Sequence, residues 1–345
     1  MTQHMISAFP RKQLIDMIDS SLRLKKLAMN QEIIERLEKR LEKRLGRLHC
    51  RLRLGIEADH EAQIFGQGIN YFHIENLPWS HFAIGACLKL TGLYGRGQRN
   101  AANIEVRRHD VISSHVPKAF DGFTILQLSD LHIEMSEGAM NRLAALLPEI
   151  EYDLCVFTGD YRAETFGAYE PALARMAQFC SLIKRPIYGV LGNHDTIRMV
   201  PALEDMGMQM LLNENDAVER GGHRIFIAGI DDAHYYRADN IEKAASEIPI
   251  DEFSILLSHT PEIYQQASYA DFNLLLSGHT HGGQICLPGR IPITLSAVLP
   301  RRMGAGPWKY NDMIGYTSVG AGSSIVSARF NCPPEVTLHR LQSAL

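Results

Sequence analysis

An α/β catalytic domain carrying an N-terminal helical appendage is the architecture that three features of this 345-residue chain predict. From about Pro117 onward, short apolar runs of strand length alternate with helical or loop segments, which is the pattern of an α/β domain. Nearly every one of those runs ends in residues able to bind a cation or move a proton. Before Pro117 the pattern is helical instead, so residues 1–117 form a helical region and residues 118–345 the catalytic domain. The length suits one large domain plus an appendage.

Composition bounds the reading further. With 46% hydrophobic residues, 21% charged residues and a formal net charge of -4, the chain fits a soluble globular protein, and nothing in it indicates nucleic-acid binding. The six cysteines (Cys50, Cys87, Cys155, Cys180, Cys286, Cys332) are scattered without a C-x-x-C pair, so neither a thiolate zinc site nor a disulfide framework is expected. A reducing cytoplasm is the simplest compartment. Met1 to Arg11 lacks the charged-then-apolar pattern of a signal peptide, and no run approaches the roughly 20 apolar residues of a spanning helix. Neither secretion nor a bilayer-spanning anchor is therefore expected.

The appendage opens with a proline-free stretch from Arg11 to about Leu54 that predicts one long helix. Leu37, Leu41, Leu45, Leu48 and Leu52 make its apolar stripe. Around the stripe lie Lys39, Arg40, Lys43, Arg44, Arg47, Arg51 and Arg53 against only Glu38 and Glu42, which makes the polar face cationic. Such a helix fits packing on its own domain or a partner, and it equally fits an anionic membrane surface. A second segment, Leu77 to Tyr94, is apolar, carries Trp79, Phe82 and Tyr94, and is too short to span a bilayer. It reads as an interfacial or an ordinary buried helix. To that cytoplasmic reading the two segments add peripheral attachment to the cytoplasmic face of the inner membrane as an expectation to test.

In the catalytic domain the apolar runs and their endings follow one rule. Phe123 to Ser129 leads into Asp130-Leu131-His132, and Asp153 to Thr158 into Gly159-Asp160. Ile187 to Leu191 precedes Gly192-Asn193-His194-Asp195. Phe253 to Ser258 precedes His259, and Phe272 to Ser277 precedes Gly278-His279-Thr280-His281-Gly282-Gly283. An open sheet gathers such endings, because loops converge in the crevice outside the carboxyl ends of its strands. The D-x-H and H-x-H spacings add to this, since residues two apart on extended backbone point to the same side. Glycines beside the ligands keep bulk out of a crowded site.

Carboxylate, imidazole and amide ligands without thiolates suit divalent ions, manganese first, with iron or zinc as alternatives. Asp130, His132, Asp160, Asn193, His259, His279 and His281 are too many ligands for one catalytic zinc, so two cations sharing a carboxylate are expected. Such pairs sit roughly 3.5 to 4 Å apart and neutralise phosphoryl oxygens during in-line displacement. His194 would then protonate the leaving oxygen, with Asp195 or Asp160 orienting it. Arg162, Arg198 and Arg237 follow these loops and are candidate phosphate clamps. Gly282, Gly283 and Gln284 shape the rim, and His109, His115, His223, His234 and His339 receive no chemical role.

The ordered set D-x-H, GD, GNHD, a lone His and GHTH resembles the calcineurin-like metallophosphoesterase superfamily from about Phe120 to the C-terminus. The resemblance implies a four-layer sandwich of two mixed β-sheets flanked by helices. It also implies that Asp130, His132 and His281 hold one metal, Asp160 bridges, and Asn193, His259 and His279 hold the other. GHTHGGQ and the closing Gly320 to Leu341 are similar to a bacterial branch of membrane-associated phosphodiesterases that includes a UDP-2,3-diacylglucosamine pyrophosphatase. Asp160 is followed by Tyr-Arg-Ala-Glu-Thr rather than the xxDRG of protein phosphatases, which turns the reading away from phosphoproteins. The expected activity is hydrolysis of a phosphodiester or pyrophosphate in a lipid-linked or nucleotide-sugar-lipid substrate. A soluble cyclic-nucleotide or general phosphodiesterase, and a non-catalytic scaffold recruited through the basic helix, are the alternatives.

Overall fold

The computed structural model describes residues 32–66, 78–184 and 186–344. Two compact units divide the chain, Met1–Arg51 and Leu52–Leu345. In the first unit residues 32–45 are helical, and the remainder of the predicted helix back to Arg11 lies outside the described residues. The helix does not continue unbroken to Leu54. Gly46 adopts φ +84°, a left-handed conformation open to glycine, and a new helix, Arg47–Gly66, starts after it. The break changes which face is buried: Leu41 and Leu45 are buried, but Leu48 and Leu52 are 73% and 57% exposed. From residue 47 to residue 61 the buried positions are Cys50, Arg53 and Glu57, at the three- and four-residue spacing of one helix face. The leucine stripe therefore fails as a continuous apolar face.

The second unit is built on two six-stranded mixed sheets. The first runs Glu105–Ser113, Glu335–Ser343, Thr124–Leu128, Leu154–Phe157, Ile187–Gly189 and Gln209–Met210 in spatial order. The second runs Gly306–Tyr310, Met313–Thr317, Leu274–Ser277, Ser254–Leu257, His223–Gly229 and Glu214–Arg220. In both, a run of parallel neighbours carries the apolar strands of the sequence, with Ile125 opposite Leu154 in one and Leu257 opposite Leu276 in the other. Because side chains alternate along a strand, each sheet serves two cores. Ile125, Leu154, Val156 and Tyr188 meet Ile225, Ile255, Leu274 and Leu276 between the sheets. On the outer side of the second sheet Leu256 and Leu275 pack with Phe272 and with Ala244 and Ala267, from helices Ile241–Ala245 and Tyr264–Tyr269. Outside the first sheet run helices Glu137–Leu146 and Glu170–Cys180, which bury Leu143 and Met176. The fold is thus the expected α/β sandwich of two mixed sheets flanked by helices.

One boundary moves. Strand Glu105–Ser113 pairs in parallel with Glu335–Ser343 along its whole length, so the sheet begins well before residue 118. The sequence hides this because EVRRHDVIS lies at a sheet edge and exposes alternate residues, with only Val111 buried, so no apolar run marks it. In the apolar segment, helix Pro78–Leu90 buries Leu88 against Val326 and Ala328 while Leu90 stays 90% exposed. Leu77 lies outside the described residues. Among the described residues no helix is long and apolar enough to cross a membrane.

Candidate metal centre

Five strands, ending at Leu128, Phe157, Gly189, Leu257 and Ser277, deliver the polar endings to one place. The route differs from the extended spacing expected of D-x-H and H-x-H. Asp130, His132, Asp160, His279 and His281 all have positive φ, between 38° and 70°. Left-handed turns, not pleat alternation, aim these side chains, and non-glycine residues in that region carry strain that the surroundings must hold. A threonine repeatedly secures the turn that follows: Thr196 Oγ1 accepts from Arg198 N, Thr260 Oγ1 from Glu262 N and Thr280 Oγ1 from Gly282 N.

Glycines supply the room. A Cβ on Gly278 would stand 3.1 Å from Ser129 Cβ and collide with Ser129 Oγ and Asp130 Oδ2. Gly278 lies outside the left-handed region, so the conflict is one of space. Gly278→Ala is expected to lower stability by about 1–3 kcal/mol, the usual cost of overpacking, and to weaken metal-dependent activity by displacing Asp130. Thermal melts with and without manganese check this: the stabilisation that manganese gives the native protein should shrink in the variant.

The side chains fall into overlapping triads with ligand atoms within 4.8 Å of one another: Asp130, His132 and His281; His132, Asp160 and His194; Asp160, His259 and His279. Asp160 Oδ2 lies 3.2 Å from His259 Nε2 and 3.6 Å from His132 Nε2, between the outer two groups. Its other oxygen accepts from the His194 amide at 2.9 Å. Asn193 Oδ1 stands 2.9 Å from His259 Nε2. All seven expected ligand residues and His194 are buried and brought together.

Backbone carbonyls orient the imidazoles. His259 Nδ1 donates to Thr158 O at 2.8 Å, and His279 Nε2 donates to Ser296 O at 2.8 Å. His132 Nδ1 likewise donates to Arg162 O at 3.0 Å. With the outer N–H groups committed, His259 Nε2 and His279 Nδ1 face each other 3.2 Å apart, beside the acceptor oxygens of Asn193 and Asp160. Acceptors converging without a donor repel; a divalent cation satisfies them together. The donor set therefore fits a metal.

Charge supports the same conclusion. Burial pushes the Asp130 carboxyl up to about 7, with Asp160 adding repulsion against the pull of His259, Ser129 and the His279 amide. Burial pulls His259 down, yet Asp160 and Asp130 outweigh it and raise the imidazole to about 10. Without metal, a proton on His259 takes the place of a cation. Metal uptake at neutral pH must expel it, along with the part of Asp130 that is protonated. Affinity should thus fall as pH falls, by about tenfold per unit for each proton displaced. Calorimetric titration with manganese in buffers of different ionisation enthalpy should register release of at least one proton near pH 7.

The expected clamps and the orienting role of Asp195 change. The Arg162 guanidinium is buried and donates to the carbonyls of His194, Thr165 and Gly167, so it braces the loop and is not available to a phosphate. Arg198 pairs with Glu57 at 3.4 Å. Arg237 is exposed on a left-handed turn. The carboxylate of Asp195 accepts from the amides of Asp160, Tyr161 and Gly192 at 2.8 to 3.0 Å and holds two ligand loops together. Orientation of the His194 ring falls instead to Thr165, whose hydroxyl is 3.3 Å from Nδ1, while Asp160 holds the His194 backbone amide.

Four residues enter that sequence reasoning passed over. Arg53, counted among the solvated basic residues of the helix, is fully buried, and it donates to Asp195 O, Asp231 and Glu57. Glu57 accepts from Thr196 Oγ1 and Ile197 N, clamping the chain just beyond His194. Arg329 is buried with Nη2 3.4 Å from His281 Nδ1 and bonded to the carbonyls of Val319 and Gly322. The His234 ring lies tilted against His279, centroids 4.3 Å apart, while its Nδ1 meets Glu262 at 2.6 Å. Only His234 carried a signal, the Asp231-Asp232 pair just before it.

Comparison with known proteins agrees with the geometry. The family model described as calcineurin-like phosphoesterase matches residues 123–283. The chain is 30% identical over 257 residues to the uncharacterized metallophosphoesterase YkoQ of Bacillus subtilis, covering 71% of this chain and 93% of that protein. It is 31% identical over 254 residues to the uncharacterized metallophosphoesterase YkuE of the same organism, covering 70% and 86%. With the phosphodiesterase YaeI of Escherichia coli it shares 27% identity over 235 residues, covering 64% and 82%.

Proposed function

We propose, from the fact that this chain belongs to the calcineurin-like phosphoesterase family and is a metal-dependent phosphoester hydrolase, that it uses two divalent cations to cleave a phosphodiester or pyrophosphate bond in a substrate with a lipid-like part. The carrying observation is the convergence of acceptor atoms from Asp160, Asn193, His259 and His279, beside a second group built on Asp130, His132 and His281. Bound there, the cations would activate water and neutralise the phosphoryl oxygens. Asp160, between the groups, would serve both. His194 would hand a proton to the leaving oxygen, with the Thr165 hydroxyl against its ring and Asp160 holding its backbone amide.

The lipid-like part is supported by a cavity of about 400 Å³ that opens beside the metal ligands. His281, Thr280 and Ser296 lie on its polar side, and Ile84, Leu88, Ile285, Ile293, Ile325 and Val326 supply apolar walls. A cavity of this size, mostly apolar with a few converging polar groups, is what a ligand site requires. A hydrophilic cyclic nucleotide would leave those walls wet. Manganese-supplemented turnover should be compared over simple diesters, monoesters, cyclic nucleotides and acylated UDP-sugars. The reading expects the acylated substrate to win and Leu88→Asp to remove that advantage while leaving simple diesters hydrolysed. Equal preference for a cyclic nucleotide would overturn the lipid-like part.

A further inference from the structure

A second cavity, of about 460 Å³, borders the turn His281–Gly283 through Gly282 but is lined by none of the seven metal-ligand candidates. Arg107 and Arg108 reach it from the edge strand Glu105–Ser113, Arg290 from the turn after Leu287, and Arg301 and Arg302 from the 3-10 turn Arg301–Met303. Glu335 is the one acid among its lining residues. That carboxylate is already engaged, accepting from Tyr316 Oη at 3.0 Å and Val319 N at 3.3 Å, with Arg107 Nε at 3.6 Å. Arg107 also meets Glu105 at 2.5 Å. Arg108, Arg290, Arg301 and Arg302 form no ion pair among the described residues.

The imbalance is written into the chain. From Phe272 to Asn311 there is no aspartate or glutamate, although the whole protein carries a net charge of -4. Like charges gathered around one hollow repel, and solvent alone gives no reason to collect them there while acids are plentiful elsewhere. Guanidinium forks match the oxygens of phosphate two at a time. We propose that this cavity is a binding site for a ligand bearing two or more phosphate charges, separate from the phosphate that is hydrolysed. A free pyrophosphate group and a lipid headgroup carrying two phosphates present the same chemistry to it.

The test uses the full chain stripped of metal with EDTA, so that the metal cluster cannot hold the anion. Calorimetric titration with inorganic pyrophosphate forms one arm, and co-sedimentation with phosphatidylcholine vesicles containing cardiolipin, whose headgroup carries two phosphates, against plain phosphatidylcholine vesicles, forms the other. The expected result is binding in at least one arm that drops by about tenfold or more in Arg301→Ala/Arg302→Ala, weakens with added salt, and persists in Asp160→Asn. Loss confined to the pyrophosphate arm assigns a soluble polyphosphate, and loss confined to the vesicle arm assigns a headgroup. Manganese-dependent hydrolysis of a simple diester should be unchanged in the double variant, which shows that it folds. No binding in either arm by the native protein, or binding undiminished in the double variant, would overturn the site. Neither outcome would touch the metal-dependent hydrolysis, which the diester assay reads separately.

Discussion

Asp160→Asn is expected to reduce turnover by about a thousandfold and manganese affinity by more than about a hundredfold, with the fold intact. The first figure follows from losing several kcal/mol of charge stabilisation, at a factor of ten per 1.36 kcal/mol. The second follows because even outer partners of a ligand cost ten- to a hundredfold when removed, and Asp160 sits directly between the two groups. Asparagine is the informative replacement. Asp160 holds φ +57°, which asparagine tolerates far better than alanine, and an amide oxygen can still accept from the His194 amide. Thermal melts in EDTA should separate only by what the lost Asp160–His259 charge pair contributes, and melts with manganese should separate further. A variant that hydrolyses diesters at the native rate would remove Asp160 from the chemistry.

Arg53→Met should cost about 3–5 kcal/mol, because it takes the buried guanidinium away from Asp231 and leaves Glu57 only its longer pair with Arg198. Arg53 Nη1 is 2.7 Å from Glu57, Nε 3.2 Å from Asp231 and Nη2 3.1 Å from Asp195 O, and its guanidinium lies 3.4 Å from the centre of the Tyr236 ring. The melting temperature should fall by roughly 4–8 °C, and Arg53→Lys, which keeps the charge and loses the fork, should fall between. Arg36→Ala is the control: its pair with Glu32 is exposed, 79% and 66%, and its loss should leave the melt unchanged. Turnover should suffer with Arg53 too, since Glu57 holds Thr196 and Ile197, just after the Asn193 and His194 loop.

That contrast shows what sequence could and could not reveal. The strands at Leu128, Phe157, Leu257 and Ser277 were visible because buried parallel strands are continuous apolar runs, and the polar groups after them stood out against that background. The edge strand Glu105–Ser113 was invisible for the opposite reason, since half its residues face outward. Arg53 was counted with its basic neighbours because periodicity assumes one unbroken helix, and Gly46 resets the phase. Arg162 looked like a clamp from its place after Asp160, but nothing in the sequence indicates that three carbonyls occupy its guanidinium. The left-handed turns at Asp130, His132, His279 and His281 were equally hidden, because only glycine advertises positive φ.

The central claim is that polar groups from five strand ends hold two cations. Manganese bound at saturation, counted by elemental analysis after equilibrium dialysis and set beside diester hydrolysis in the same samples, tests it most directly. Two equivalents per chain, with activity lost on chelation and regained as the second equivalent binds, is the predicted result. Full activity with one equivalent, or hydrolysis that survives complete removal of metal, would contradict it.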